Sequence, residues 1–195
     1  MRRGFARKNY IVLHDDGRIH YPFSKYITES YTNPHTRELV AQSLECFYRF
    51  CIAYQVELLN RASEGRALTH GELRDLVDLC YRPLDEIKAL SGKKMASMLS
   101  PKARKTTREL SHSVEPNTAR KRLHQIAEYL TYYFEVFLEP NVRSHALRDQ
   151  LRHEYLKVTS RLKKAVGGTK QSHHLAIQSL PTDKYLKIIE EVFLR

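Results

Sequence analysis

A chain of 195 residues with 42% hydrophobic content is long enough to bury a core, and it reads as one domain or one domain plus a fragment. No run approaches the roughly 18 apolar residues of a membrane span, and no apolar segment follows the basic opening MRRGFARKNY, so spanning and secretory classes are set aside. A net charge of +11 points to an anionic partner, while Cys46, Cys51 and Cys80, on apolar helical faces, suit reduced thiols in a cytoplasmic protein rather than disulfides or a zinc site.

Tyr10 to Leu13 is β-prone, Asp15-Asp16-Gly17 is a tight-turn signal, and Arg18 to Tyr21 can pair back. This predicts a short N-terminal β-hairpin, which must dock on something to be stable, ended by Pro22. Asn33-Pro34-His35-Thr36 then opens a first long helix carrying Val40, Leu44, Phe47, Cys51, Tyr54 and Leu58 at alternating spacings of four and three. Gly65 lies near its end. Leu68-Thr69-His70-Gly71-Glu72 opens a shorter helix with Leu73, Leu76, Val77 and Cys80, which Arg82-Pro83 breaks. A third helix is expected from about Asp85 to Leu99, and the cationic, Ser/Thr-containing stretch from Ser100 to Pro116 reads as an exposed connection.

Val114 to Phe134 is the richest stretch. Pro116 suits the first turn of a helix, and Glu115 and Thr118 offer oxygens to backbone N–H groups without intrahelical partners. Leu123, Ile126, Ala127, Leu130, Phe134 and Phe137 form a core-facing stripe. Arg120, Lys121 and Arg122 precede it, and neighbours about 100° apart on a helix cannot share one face. Tyr132 and Tyr133 read as core and rim aromatics. Glu139-Pro140-Asn141 turns the chain into a fifth helix with Leu147, Leu151, Tyr155, Val158 and Leu162, stopped by Gly167-Gly168. Residues 169–180 read as a linker, and Thr182 opens a last helix with Tyr185, Ile188, Ile189, Val192 and Phe193 whose apolar face is left unpaired, as though cut.

The expected fold is therefore mainly α: a compact bundle of four to five main helices with a short N-terminal β-hairpin and a truncated C-terminal helix. Its division is an arm over 1–30, a helical domain over 31–168, and a linker plus first helix of a further domain over 169–195. Charge is segregated along it. From Lys93 to His124 there are nine Lys and Arg against Glu109 and Glu115, and from Arg143 to Lys170 eight against Asp149 and Glu154, whereas Glu38 to Glu86 is near balance. That pattern favours nucleic acid over a merely soluble surface or an acidic membrane.

The order of parts resembles the N-terminal half of a tyrosine recombinase of the phage integrase family. The arm VLHDDGRIHYPFSKYI, the two Thr-containing helix openings at Asn33 to Thr36 and Val114 to Thr118, and Leu180-Pro181-Thr182-Asp183-Lys184-Tyr185-Leu186 at the end of the linker carry the resemblance. It implies a SAM-like core-binding domain that clamps duplex DNA, further recombinase subunits on that DNA, use at the nucleoid of a bacterial cytoplasm, and no cofactor. The family's catalytic residues lie in the domain after the linker, so this chain alone is expected not to cleave DNA. Its one His-x-x-Arg, His145 and Arg148, stands before the linker on an ordinary amphipathic helix.

Cationic helix ends suit phosphate, because helix N-termini add free N–H groups and a positive dipole end. The candidate DNA contacts are Thr36 and Arg37; Lys93 and Lys94; Lys102, Arg104 and Lys105; and Thr118, Arg120, Lys121 and Arg122. No metal site is expected; His173-His174 lacks a third ligand at useful spacing. The cations of the fifth helix either track DNA or oppose acids within the fold. Two other readings stand beside the recombinase fragment: a free-standing helical DNA-binding regulator, and a protein-interaction bundle with an acidic partner.

Overall fold

A computed structural model describes residues 11–14, 16–89 and 114–167. Among them it is helical: α1 (Tyr21–Ser30), α2 (Pro34–Tyr54), α3 (Leu58–Ser63), α4 (His70–Cys80), α5 (Leu84–Ala89), α6 (Pro116–Tyr133), a π-helical turn (Phe134–Leu138) and α7 (His145–Gly167). No helix among the described residues is long and apolar enough to cross a membrane. The expected linker and last helix lie outside the described residues, as does the continuation of the third helix past Ala89.

The N-terminal hairpin is not formed as a pair of strands. Leu13 and Ile19 make one isolated antiparallel bridge around the turn at Gly17, flanked by His14 N–H to Arg18 O and His20 N–H to Val12 O, and contacts to the helices hold the segment as well. Val12 donates to Ser24 Oγ at 3.0 Å, and His14 Nδ1 lies 3.2 Å from the Tyr48 hydroxyl. The chain then enters a helix, α1, because Phe23, Tyr26 and Ile27 recur at helical spacing and Pro22 is tolerated in a first turn. His20 caps it: the ring stacks on Phe23 with centroids 3.8 Å apart, and Nδ1 accepts from Phe23 N–H at 3.4 Å.

α2 is the long helix expected, but it stops at Tyr54 rather than running through Leu58. Gln55 adopts φ 52° and its N–H turns back to Ile52 O, so the backbone leaves the helix without a glycine or a proline. α4 opens with a reciprocal cap, Thr69 N–H to Glu72 Oε2 at 2.8 Å and Glu72 N–H to Thr69 Oγ1 at 3.3 Å. Arg61 of α3 adds a bidentate pair to the same carboxylate, both contacts at 2.6 Å. Although burial opposes it, these partners hold the Glu72 carboxyl below its usual range. At the head of α6 the expected side-chain cap is absent. Glu115 contributes its carbonyl and no carboxylate bond, because its backbone alone reaches Thr118 and Ala119 N–H.

One core holds these helices. Tyr129 of α6 meets Phe23 and Tyr26 of α1 and Phe47 of α2, with ring centroids 4.8, 5.5 and 6.0 Å away. Leu123, Ile126, Ala127, Leu130 and Phe134 are buried as the stripe predicts, while Phe137 is half-buried; Leu151, Tyr155, Val158 and Leu162 of α7 close the other side. α1 belongs to this core through Phe23, Tyr26 and Ile27.

Gly65, at φ +69°, sits where a Cβ would lie 2.6 Å from Gln150 Nε2, the group that donates to its carbonyl. Gly65→Ala is expected to lower the unfolding free energy by about 1–2 kcal/mol, read as a fall in the urea midpoint at unchanged m-value.

Burial, and then the neighbouring His14, lower the His20 pKa to about 4 from 6.5, so the folded state favours the neutral ring. The unfolded chain takes up this proton first, and stability that is complete above about pH 6.5 declines as pH falls toward 4. Melting temperature measured from pH 7 to 5 is expected to fall more for the wild type than for His20→Asn, which keeps a capping oxygen and cannot titrate.

Candidate nucleic-acid interface

Three contacts fix how α1 lies on α6. Tyr21 meets Phe137 at 6.1 Å and Tyr26 meets Tyr132 at 5.0 Å between ring centroids, and Tyr31, just past α1, donates to Gln125 Oε1 at 2.8 Å. The partners on α6 descend as those on α1 ascend, so the two helices are antiparallel. The α1–α2 turn, which contains the opening of α2, therefore lies at the same end of the bundle as the opening of α6. Thr36, Arg37, Thr118, Arg120, Lys121 and Arg122 are gathered there.

Two of these six are inside. Arg37 is 7% exposed; its Nε donates to Tyr31 O at 2.7 Å and one terminal nitrogen to Thr28 O at 3.2 Å, closing the C-terminal end of α1. Arg122 is 8% exposed, and a single terminal nitrogen donates to Cys80 O at 3.0 Å and Arg82 O at 2.6 Å, just where α4 ends. Val114 N–H reaches Tyr81 O at 2.9 Å beside it. Both guanidiniums are nearly buried and donate to backbone carbonyls, which gives each a structural role in the fold.

The other four differ among themselves. Thr36 is half-buried, and the first N–H groups of α2 are already taken: Asn33 Oδ1 accepts from His35 N–H at 2.9 Å and Thr36 N–H at 3.4 Å. At α6 the Glu115 side chain makes no cap bond, and its carbonyl accepts from the Thr118 and Ala119 N–H groups. There Thr118 and Lys121 are exposed and Arg120 half-exposed, and among the described residues neither cation is hydrogen-bonded or ion-paired through its side chain. His124, one turn beyond Arg120, is exposed as well and does not stand out in the sequence, because a neutral histidine adds nothing to a charge count. Lys93, Lys94, Lys102, Arg104 and Lys105 lie outside the described residues.

α7 extends this end. Lys163 meets Glu128 at 2.9 Å and Arg152 pairs with Glu139, so α7 runs antiparallel to α6, its C-terminal end reaching about the level of His124. Carboxylates are distributed accordingly. α6 has none from Pro116 to Ala127 and α7 none from Tyr155 to Gly167, whereas Glu128, Glu135, Glu139, Asp149 and Glu154 all lie toward the opposite end. Part of the cation set of α7 thus opposes acids within the fold, one of the two roles its sequence allows.

Other chemistry is sparse. The His145–Arg148 pair lies at the start of α7, where a guanidinium nitrogen of Arg148 donates to Val142 O at 2.7 Å. Among the described residues no group of three or more His, Cys, Asp or Glu could hold a metal. Cys46 and Cys80 are buried with their sulfurs 4.0 Å apart, and burial pushes the Cys51 thiol far above its usual range, so none is a ready nucleophile. An open cavity of 270 Å³ between the π turn and α7 has Phe134, Tyr155 and Leu156 as its apolar wall, and the Arg152–Glu139 pair crosses its rim. No family model, curated protein or solved structure matches the chain.

Removing Arg122 leaves two buried carbonyls without their donor. Arg122→Ala is expected to cost about 2–4 kcal/mol in urea unfolding, whereas Arg120→Ala is expected to stay within about 0.5 kcal/mol.

Proposed function

We propose that this chain is a helical DNA-binding module that holds duplex DNA against the bundle end formed by the openings of α2 and α6. The observation that carries the reading is the first turns of α6, which hold no carboxylate between Pro116 and Ala127 and carry Thr118, Arg120, Lys121 and His124 at their surface, with the cationic C-terminal part of α7 packed antiparallel alongside the helix. A duplex backbone suits it because Lys and Arg gain affinity by releasing condensed counterions, and because the start of a helix is its positive dipole end. Such contacts fix position and register without reading base sequence.

The resemblance of its sequence to the arm and core-binding domain of a tyrosine recombinase gives the module a role: the targeting half of a site-specific recombinase from a mobile element. On this reading the chain grips DNA next to further recombinase subunits in the bacterial nucleoid. Strand cleavage belongs to a catalytic domain beyond the linker, and no cofactor is required.

The test is fluorescence anisotropy of a labelled duplex against salt. If about six cations engage phosphate, affinity should fall by about 10³ between 50 and 200 mM salt. Arg120→Ala/Lys121→Ala should weaken binding for every sequence and lower the salt slope by about 2. A wild-type chain that binds duplex no better at low salt than at high salt would sink the DNA reading and favour a protein-interaction bundle.

A further inference from the structure

The cations of α7 divide into two sets. Arg152 and Lys163 face α6 and are paired with Glu139 and Glu128. Lys157, Arg161 and Lys164 occupy positions i, i+4 and i+7, so they line one stripe, and all three are exposed. The residues that bury this part of the helix, Leu151, Tyr155, Val158 and Leu162, lie on a different side, about 120° round the helix. Lys157 has one carboxylate in reach, Glu154 at 2.8 Å, and is still 47% exposed; Arg161 and Lys164 have none among the described residues.

A basic last turn offsets the negative dipole end of a helix, and that accounts for Lys164. It does not account for Lys157, which is nearly three turns from the end, because the dipole effect fades within the last turn. Nor does solubility explain a stretch without a single acid from Tyr155 to Gly167, since mixed signs serve that purpose equally well.

We propose that Lys157, Arg161 and Lys164 form a second track for the phosphate backbone of the same duplex, so that the DNA lies along α7 as well as across the start of α6. At 1.5 Å per residue the stripe is about 10 Å long. One strand of B-DNA rises about 3.4 Å per phosphate along its axis while winding round it, so a stripe of this length is on the scale of a few neighbouring phosphates. The antiparallel packing of the two helices brings the C-terminal end of α7 level with His124 of α6, so a duplex lying along α7 passes close to the exposed cations of α6. The inference rests on the proposed DNA-binding function and adds where the duplex runs.

The test compares two triple variants of the full chain that lose the same charge. Lys157→Ala/Arg161→Ala/Lys164→Ala removes the stripe; Arg18→Ala/Arg66→Ala/Arg143→Ala removes three exposed cations elsewhere. Far-UV circular dichroism and thermal melting confirm that each is folded. In salt titrations with a fluorescent duplex, losing the stripe should reduce the slope of log K against log salt by about 2.7, at about 0.9 per contact, and affinity at 50 mM salt by more than tenfold. The control should keep the wild-type slope, and Lys157→Arg/Arg161→Lys/Lys164→Arg should restore it. Equal losses in the two charge-removing variants, or an unchanged slope in the stripe variant, would overturn the track while leaving DNA binding in place. A wild type without salt-dependent duplex binding would overturn both.

Discussion

The buried guanidinium of Arg122 is the constraint on which the arrangement at this end of the bundle depends. α6 must present a continuous apolar face to its neighbours and also begins with three consecutive cations, and one of the three has to point inward. A buried charge is tolerated only when it is hydrogen-bonded. The end of α4 supplies what is needed, because the last carbonyls of a helix have no partner within it. Arg122 meets Cys80 O and Arg82 O, satisfying two acceptors and fixing the start of α6 against the end of α4. Arg37 repeats the arrangement at α1 by donating to Thr28 O and Tyr31 O. In both places an arginine serves as the C-terminal cap of a helix distant from it in sequence or preceding it. Arginine suits this role because its planar fork presents several donors in fixed directions, where a lysine offers a single ammonium.

The aromatic layer carries that fixity through the bundle. Tyr129 is at its centre, in ring contact with Phe23, Tyr26, Phe47 and Tyr133, and so joins α1, α2 and α6 in one packed unit. Phe134, the first residue of the π turn, continues the layer to Tyr155 of α7 at 5.4 Å. Helices joined by interlocking rings have few alternative packings, which leaves the directions of their exposed side chains set by the backbone. Arg120, Lys121, Arg161 and Lys164 are therefore displayed from rigid elements. A surface that receives an extended polyanion gains from this, since less side-chain and segment freedom is lost on binding.

The long helices were legible because their apolar spacing extends over several turns: α2, α6 and α7 bury most of the stripes read from the sequence, with Cys51, Tyr54, Phe137 and Leu147 half-buried. The opening of α4 was legible too, since Thr69 and Glu72 stand three apart and complete a reciprocal cap. α1 was not. It is only 10 residues long, it comes after a turn signal that favours a hairpin, and its three core residues are too few to outweigh Pro22. The break after Tyr54 carries no mark, because a glutamine there takes a left-handed conformation that glycine or asparagine ordinarily signals. For the candidate interface, the sequence identified the cluster Arg120 to Arg122 and required that its members diverge. It could not say which one turns inward, because that depends on two carbonyls about forty residues away becoming available when α4 ends.

Charge segregation has a cost that bears on what the bundle end is for. Like charges collected on one surface repel one another and oppose the compact state. Elsewhere the chain avoids this: Arg61 meets Glu72, Arg82 meets Glu86, Lys163 meets Glu128 and Arg152 meets Glu139. From Pro116 to Ala127 of α6 and from Tyr155 to Gly167 of α7 there is no acid, with Glu115 and Glu154 only at the borders, although single substitutions at exposed positions such as Thr118 or Ser160 could have supplied more with no effect on the core. A partner with regularly spaced negative charge relieves this repulsion on contact. A neutral or cationic partner cannot, and among anionic partners a duplex backbone offers negative charge over the whole length of the stripe.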